Sequence, residues 1–330
     1  MYEPSPGGIR PPWLKGYGRE TLSGDLRAGL TVGVMLVPQG MAYAVIAGLP
    51  PIYGLYAGLV PLLIYPLLGT SRHMAVGPIA IDMLIVAAGV GMLAQADTDR
   101  YLALIILLTA MVGALQILMG VARLGFLVSF LARPVIAGFA AAAAIIIAFS
   151  QLGNLIGVEL QRSEYVLVLI GEALREISGV EPVTLGIGLG AIFILLFIRR
   201  LPVFVPGAIV VVVIGTLAAT VFGLEEYGVA VVGDVPSGLP RPSLPQVDFA
   251  DVRDLIPTVL TLALIQFMSV SSLSRLFATR HHYSIDANRE LLGVGAANLV
   301  GSFFRALPIL HSFPTRRSSD LGRASCRERV

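Results

Sequence analysis

The residues with the clearest chemistry lie within 69–85, where one apolar segment ends and another begins at Gly77-Pro78. Proline is tolerated in the first turn of a helix because its missing N–H would have no partner there, so Pro78 predicts a helix start within Val76–Ile79. The free N–H groups of a helix N-terminus bind anions. Ile79 and Ala80 are therefore the expected backbone donors to an anion.

Three polar side chains in apolar segments accompany these donors. Asp82, one turn beyond Pro78, is interpreted as the one carboxylate within an apolar span, and such a residue is functional by default because charging it in a bilayer is costly. The alternative is a protonated or hydrogen-bonded structural Asp. Gln39, next to the helix breaker Pro38, is either an interhelical contact or a ligand contact. Tyr43 follows one turn later on the same helix face.

Composition identifies the kind of protein that must position these groups. The 330 residues are 56% hydrophobic and 13% charged, with a mean hydropathy of +0.83, whereas soluble proteins are about 25% charged. This is the composition of a polytopic membrane protein. The net charge of +2 is spread over short loops and predicts no nucleic-acid surface.

Cysteine and histidine usage predicts no metal site and no cofactor. The single cysteine, Cys326, provides neither a disulfide framework nor a metal cluster. His281, His282 and Asp286 are interpreted as a solvated loop rather than metal ligands, because no further histidine is near in sequence.

Nine apolar runs have the length and composition of membrane spans. They cover residues 26–49, 52–68, 76–93, 101–122, 135–155, 183–198, 203–224, 255–277 and 287–304. The segment 162–177 mixes apolar and charged residues and predicts an amphipathic surface helix. With the N-terminus inside, twelve Lys and Arg residues fall in inside segments and five in outside segments, which predicts a cytoplasmic N-terminus.

A short internal repeat predicts how the two halves are related. Residues 68–72 followed by Gly77-Pro78 resemble residues 300–305 followed by Leu307-Pro308. Matching Gly/Pro interruptions in two halves indicate a binding site at the middle of the membrane in repeat-built transporters. Because seven spans precede the second copy, the repeats are expected to be inverted.

The segment after Arg305 differs from the rest of the chain. Residues 311–321 and 322–330 match what results when common sequencing-adapter DNA is translated in its two directions. Residues 306–330 are therefore predicted to be a non-native tail, with authentic sequence ending between Arg305 and Leu310. The alternative is a real basic cytoplasmic tail, and sequencing of the source locus distinguishes the two.

Several motifs together resemble one family. Residues 37–44, 48–56, 69–73 and 76–78 are similar to the sulfate permease (SulP) family of anion transporters, and 281–304 agree in the second half. The resemblance covers residues 12–305. It implies an all-α polytopic membrane protein with two inverted seven-helix repeats, arranged as core and gate domains, of which about nine of fourteen spans are present.

The resemblance also implies a division of the chain. A cytoplasmic N-terminal segment (1–24) precedes the first seven-helix repeat (25–224), in which helices one to four belong to the core and five to seven to the gate. A Pro-rich extracytoplasmic loop (225–254) separates it from the start of the second repeat, helices eight and nine (255–305).

The resemblance places the anion between half-helices three and ten. The residues it assigns to anion binding are Gln39, Tyr43, Val76, Gly77, Pro78, Ile79, Ala80 and Ser269. The family often carries a Glu where this chain has Ser269, so coupling is assigned to Asp82 instead.

The expected function is secondary active transport of an inorganic anion, sulfate first, with a proton or sodium as co-ion. Bicarbonate, chloride or dicarboxylate transport and an anion channel are the alternatives. No His-Glu-x-x-His or Gly-x-Ser-x-Gly motif predicts an enzyme. The protein is expected in the lipid bilayer of the cell inner membrane, as a homodimer when full length, and this chain without half-helix ten is expected to be inactive.

Overall fold

The computed structural model describes most of the chain between residues 18 and 312. The described residues are 18–71, 75–96, 98–126, 151–158, 166–176, 179–198, 207–231, 238–244, 248–280 and 285–312, with isolated positions between 138 and 149 and at 200. Most of the predicted N-terminal segment, about half of the fifth span, His281, His282 and residues 313–330 of the predicted tail lie outside them.

Helices dominate the described residues. They are α1 Arg19–Ile46, α2 Ile52–Ala57, α3 Val60–Leu68, α4 Ala80–Gly91, α5 Asp99–Val121, α6 Leu152–Ile156, α7 Val166–Arg175, α8 Pro182–Ile198, α9 Gly207–Phe222, α10 Phe249–Arg280 and α11 Ala287–Ser302. A 3₁₀ helix covers Leu224–Tyr227, and two strands, β1 Ala75–Gly77 and β2 Leu310–Ser312, complete the elements.

Several helices are long or apolar enough to be parts of membrane spans. By length and composition, Asp99–Val121 and Phe249–Val270 can each cross a bilayer, with hydropathies of 2.5 and 1.3. Val32–Ile46, Ala80–Gly91 and Pro182–Ile198 are among the shorter apolar helices. The predicted amphipathic helix is present as α7, whose ten residues are too short to span.

Proline and aspartate move two helix boundaries away from the predicted ones. The run 52–68 is two helices, because Pro61 in the first turn of α3 has no N–H to continue the helix from α2. The predicted loop 225–254 ends early, since α10 begins at Phe249. The Asp248 carboxylate accepts a hydrogen bond from Ala250 N–H at 3.3 Å, as expected of a residue that caps a helix start.

The two strands join the halves of the chain. β1 pairs antiparallel with β2, with Ala75 opposite Ser312, Val76 opposite His311 and Gly77 opposite Leu310. The expectation that a helix begins within Val76–Ile79 is wrong, because this backbone forms a ladder with a segment far along the chain. Pro78 ends the ladder, having no N–H to donate.

The segment 306–310 is part of the hydrophobic core. Ala306, Leu307, Ile309 and Leu310 are buried together with residues of α1 to α5, α10 and α11. Pro308 lies before β2, whereas Pro78 follows β1, so the predicted correspondence between these two prolines is wrong. The backbone of β1 consequently has a partner in β2, within the segment 306–330 that the sequence predicted to be a non-native tail.

Close packing between α5 and α11 holds the core together. A Cβ built on Gly113 of α5 would lie 2.5 Å from Leu299 N of α11, and one on Gly295 would lie 2.9 Å from Gly113 O. Larger residues would force these helices apart. Away from this core, α9 packs against α8, and α8 against α6.

Candidate functional site

The N-terminus of α4 provides backbone donors in the interior of the protein. Ile79 is extended (φ −128°, ψ 148°), and the first helical hydrogen bond runs from Met83 N–H to Ile79 O at 3.2 Å. The N–H groups of Ala80, Ile81 and Asp82 precede that bond and have no acceptor within the helix. The N-cap residue, Ile79, makes no side-chain hydrogen bond that caps this helix end. The predicted donors Ile79 and Ala80 are thus the N-cap and the first residue of this helix, and neither N–H has an acceptor within the helix.

Gln39 and Tyr43 lie together on α1, as predicted. Gln39 Nε2 donates a hydrogen bond to Tyr43 Oη at 3.0 Å, and both side chains are half-buried. Leu36, one turn before Gln39, lies next to β1, since a Cβ on Gly77 would meet Leu36 Cδ1 at 3.0 Å. The face of α1 that carries Leu36, Gln39 and Tyr43 thus lies beside the strand that leads into α4.

Asp82 is fully buried and joined to a series of amides. Gln266 Nε2 of α10 donates to Asp82 Oδ2 at 2.6 Å, and Gln116 Nε2 of α5 donates to Gln266 Oε1 at 2.6 Å. Asn298 Nδ2 of α11 donates to Gln116 Oε1 at 3.0 Å. Asp82 Oδ1 has no hydrogen-bond partner. Three amides that the sequence did not single out therefore form a hydrogen-bonded series that ends on the predicted coupling residue.

Ser269 is half-buried on α10, one helical turn after Gln266. Residues three apart on a helix lie on neighbouring parts of its surface, so Ser269 faces the same region as the amide that contacts Asp82. The structure thus brings α10 to α4, as the resemblance implied, through Gln266.

Glu290 is a second buried carboxylate, and the interpretation of Asp82 as the one carboxylate within an apolar span is wrong. Glu290 Oε1 accepts hydrogen bonds from Thr70 N–H and Thr70 Oγ1, both at 2.5 Å, and from Ser71 N–H at 2.8 Å. Glu290 Oε2 accepts from Tyr65 Oη at 2.7 Å. This carboxylate on α11 fixes the connection from α3 toward β1. Its place inside the ninth apolar run was the signal that could have identified it.

Asp286 has a structural role at the start of α11. Its carboxylate accepts hydrogen bonds from Asn288 N–H at 2.9 Å and Arg289 N–H at 3.3 Å. These are the bonds of a helix N-cap.

Comparisons with known proteins agree with this arrangement. A probable sulfate transporter of Mycobacterium tuberculosis is 39% identical over 303 residues, covering 92% of this chain and 53% of the relative. The chloroplastic sulfate transporter 4.1 of Arabidopsis thaliana is 35% identical, covering 91% of this chain and 45% of the relative. The solved structure of SLC26A9 matches with a TM-score of 0.84 at 26% identity, over 94% of this chain and 52% of that chain.

These likenesses confirm the predicted fold class, an all-α multi-pass membrane protein with the inverted-repeat transporter fold of this group. A sequence model of the sulfate permease family matches residues 22–319. The chain belongs to the sulfate permease family, a family of membrane transporters. It spans about half the length of the curated relatives it matches.

Proposed function

We propose that this chain belongs to a secondary active transporter of an inorganic anion, with sulfate as the first substrate, in the cell inner membrane. The observation that carries the proposal is the uncapped N-terminus of α4, buried where β1 meets β2. In this proposal the N-terminus is cytoplasmic, the full-length protein is a homodimer, and the anion lies at the N-terminus of α4, beside the two strands.

Backbone and side-chain donors converge on that position. The N–H groups of Ala80, Ile81 and Asp82 supply hydrogen bonds, and the helix dipole adds the equivalent of about half a positive charge. Tyr43 accepts a hydrogen bond from Gln39, which leaves its own O–H proton for another acceptor. Gln39 keeps a second N–H. An oxyanion bound here would replace its water shell with these donors.

Asp82 is the proposed coupling group. Its carboxylate stands in the first turn of α4, so its negative charge would repel an anion held by the same turn. A proton or a sodium ion at the unpartnered Oδ1 would remove that repulsion. Binding of the co-ion and of the anion would then favour each other, which is the requirement for coupled transport.

Sulfate is proposed as the substrate because both relatives named above are described as sulfate transporters. Backbone amides bind any small oxyanion, so bicarbonate, chloride and dicarboxylates are competitors to be measured. Selectivity would depend on both walls of the site, of which β2 contributes the second.

Uptake of radiolabelled sulfate into liposomes tests the proposal. The protein encoded by the full reading frame of the source locus is assayed in parallel with the 330-residue chain. We expect saturable uptake only with the protein from the full reading frame. A proton or sodium gradient should stimulate uptake, and Asp82→Asn should abolish that stimulation. Uptake that is equal with and without either gradient would indicate a channel. Absence of uptake by the protein from the full reading frame would contradict anion transport.

A further inference from the structure

Asp82 and the start of β2 are connected by hydrogen-bonded amides, here called the amide chain: Gln266, Gln116 and Asn298. All three side chains are fully buried, as is Asp82. At the far end, Asn298 binds the backbone of Ile309 twice, since its Oδ1 accepts from Ile309 N–H at 2.7 Å and its Nδ2 donates to Ile309 O at 3.2 Å. The amide chain therefore runs from the first turn of α4 to the residue before β2.

The backbone of Ile309 determines the direction of the amide chain. The oxygen and nitrogen of a side-chain amide can exchange places, but a backbone N–H can only donate and a carbonyl can only accept. Asn298 must therefore turn Oδ1 to Ile309 N–H, which presents Nδ2 to Gln116. Each following amide then accepts from the side of β2 and donates toward α4, and the last group, Gln266 Nε2, presents a donor to Asp82.

Because the amide chain is buried, its amides cannot reverse their direction one at a time without leaving a polar group unpaired. A buried amide without a partner is costly, and a series of hydrogen bonds in a low dielectric acts as a unit. If Asp82 offered a proton to Gln266 in place of a lone pair, Gln266 would have to turn its oxygen toward it, and Gln116 and Asn298 would have to turn in succession. Asn298 would then present a donor to the N–H of Ile309, and its two hydrogen bonds to the Ile309 backbone would be lost.

We propose that Gln266, Gln116 and Asn298 are positioning residues that couple the state of Asp82 to the position of β2. A ligand that changes the hydrogen bonds accepted by Asp82 changes how firmly β2 is held against β1. The link to transport rests on the proposed function, in which β2 forms the second wall of the anion site.

Amide hydrogen exchange measures this coupling without any anion. In the purified 330-residue chain in detergent, Asp82→Leu removes the acceptor for Gln266. We expect the peptide covering 306–312 to exchange roughly tenfold faster, as for loss of one buried hydrogen bond. Asp82→Asn keeps an acceptor oxygen and should restore the exchange rate of the parent chain.

Thr109→Val is the matched control. Thr109 is equally buried on α5, and its hydroxyl donates only to Ile105 O of the same helix at 2.7 Å, outside the amide chain. This variant should leave exchange at 306–312 unchanged. Gln116→Met interrupts the amide chain with Asp82 intact, so it should accelerate the same peptide and provides the test if Asp82→Leu does not fold.

The outcomes separate coupling from general loosening. Faster exchange confined to 306–312 and β1 in Asp82→Leu and Gln116→Met, with restoration in Asp82→Asn, supports the proposal. Unchanged exchange in both, or equal acceleration in Thr109→Val, overturns it. Adding sulfate to the protein from the full reading frame tests the proposed function separately: if sulfate fails to slow exchange at residues 75–82 there, the anion site is wrong while the coupling result stands.

Discussion

Glu290 illustrates how a buried carboxylate can serve structure alone. It is fully buried, and its two oxygens accept hydrogen bonds from four donors on α3 and the connection to β1. Several hydrogen-bond donors satisfy both oxygens of this buried carboxylate, whose burial would be costly without them.

Removal of the Glu290 carboxylate should destabilise the fold strongly. In Glu290→Ala the four donors lose their acceptor, at a cost of about 1–3 kcal/mol for each group that stays unpaired. Glu290→Gln keeps one acceptor oxygen, so its stability should lie between that of the parent chain and that of Glu290→Ala. The measurement is the thermal unfolding midpoint in detergent by fluorescence. Glu225→Ala, at an exposed position, is the control, and an unaltered midpoint in Glu290→Ala would show that the cluster is dispensable.

Loss of the Gln39 amide should weaken anion binding more than folding. A hydrogen bond to a charged group is worth about 1.5–3 kcal/mol, so Gln39→Ala should raise the sulfate Kd by roughly tenfold to a hundredfold. Calorimetry on the protein from the full reading frame measures this. Met41→Ala on the same helix should change Kd little, and equal affinity in Gln39→Ala and the parent would refute the assignment.

The sequence predicted the residues near the N-terminus of α4 better than it predicted the buried hydrogen bonds of the amide chain that reach Asp82. Gln39 and Tyr43 form the expected pair because helical periodicity places residues four apart on one face. The amides of Gln116, Gln266 and Asn298 come from three helices, and nothing local in the sequence specifies that they meet. Polar residues inside apolar runs were the available signal, and it was applied to Asp82 and not to them.

At the scale of elements, the sequence predicted the positions of the long apolar helices well and the points where helices break or strands begin less well. The apolar runs of α5, α9 and α11 were located to within a few residues because burial and length determine them. β1 was read as the start of a helix since its ladder partner is a strand far along the chain. A local rule for proline cannot anticipate such a partner.

The crossing of α1 and α2 depends on two glycines. A Cβ on Gly54 would lie 1.9 Å from Gly40 O, which no side-chain adjustment can relieve. Gly54→Ala should therefore lower the thermal unfolding midpoint by several degrees or prevent folding.

Gly33→Ala on α1 is the matched control, since a Cβ there meets nothing within 4 Å. Its midpoint should equal or exceed that of the parent because alanine favours helix over glycine. Equal effects of the two substitutions would mean that the close approach of Gly40 and Gly54 is not what holds these helices.

At the scale of the whole molecule, a short ladder and the amide chain join the two halves in addition to the packing of α11 against α5. A chain ended after Arg305 loses β2 and the Ile309 contacts, whereas one ended after Ser312 keeps both. We expect the first to be digested faster by protease in detergent and the second to match the 330-residue chain, because the second keeps β2 and lacks only 313–330, the part of the predicted non-native tail (306–330) outside the described residues. Equal resistance of all three would show that β2 contributes nothing to stability.

The ladder also imposes an order on biogenesis. Leu310, the partner of Gly77, leaves the ribosome roughly 230 residues after it, a delay of roughly ten to fifty seconds at ordinary synthesis rates. Throughout that interval the N–H and C=O groups of β1 have no strand to bind, and lipid offers them nothing in exchange. The nascent first half must therefore be kept in contact with water or with the insertion machinery until β2 arrives, so β1 is paired only after all the described helices from α1 to α11 have been synthesised.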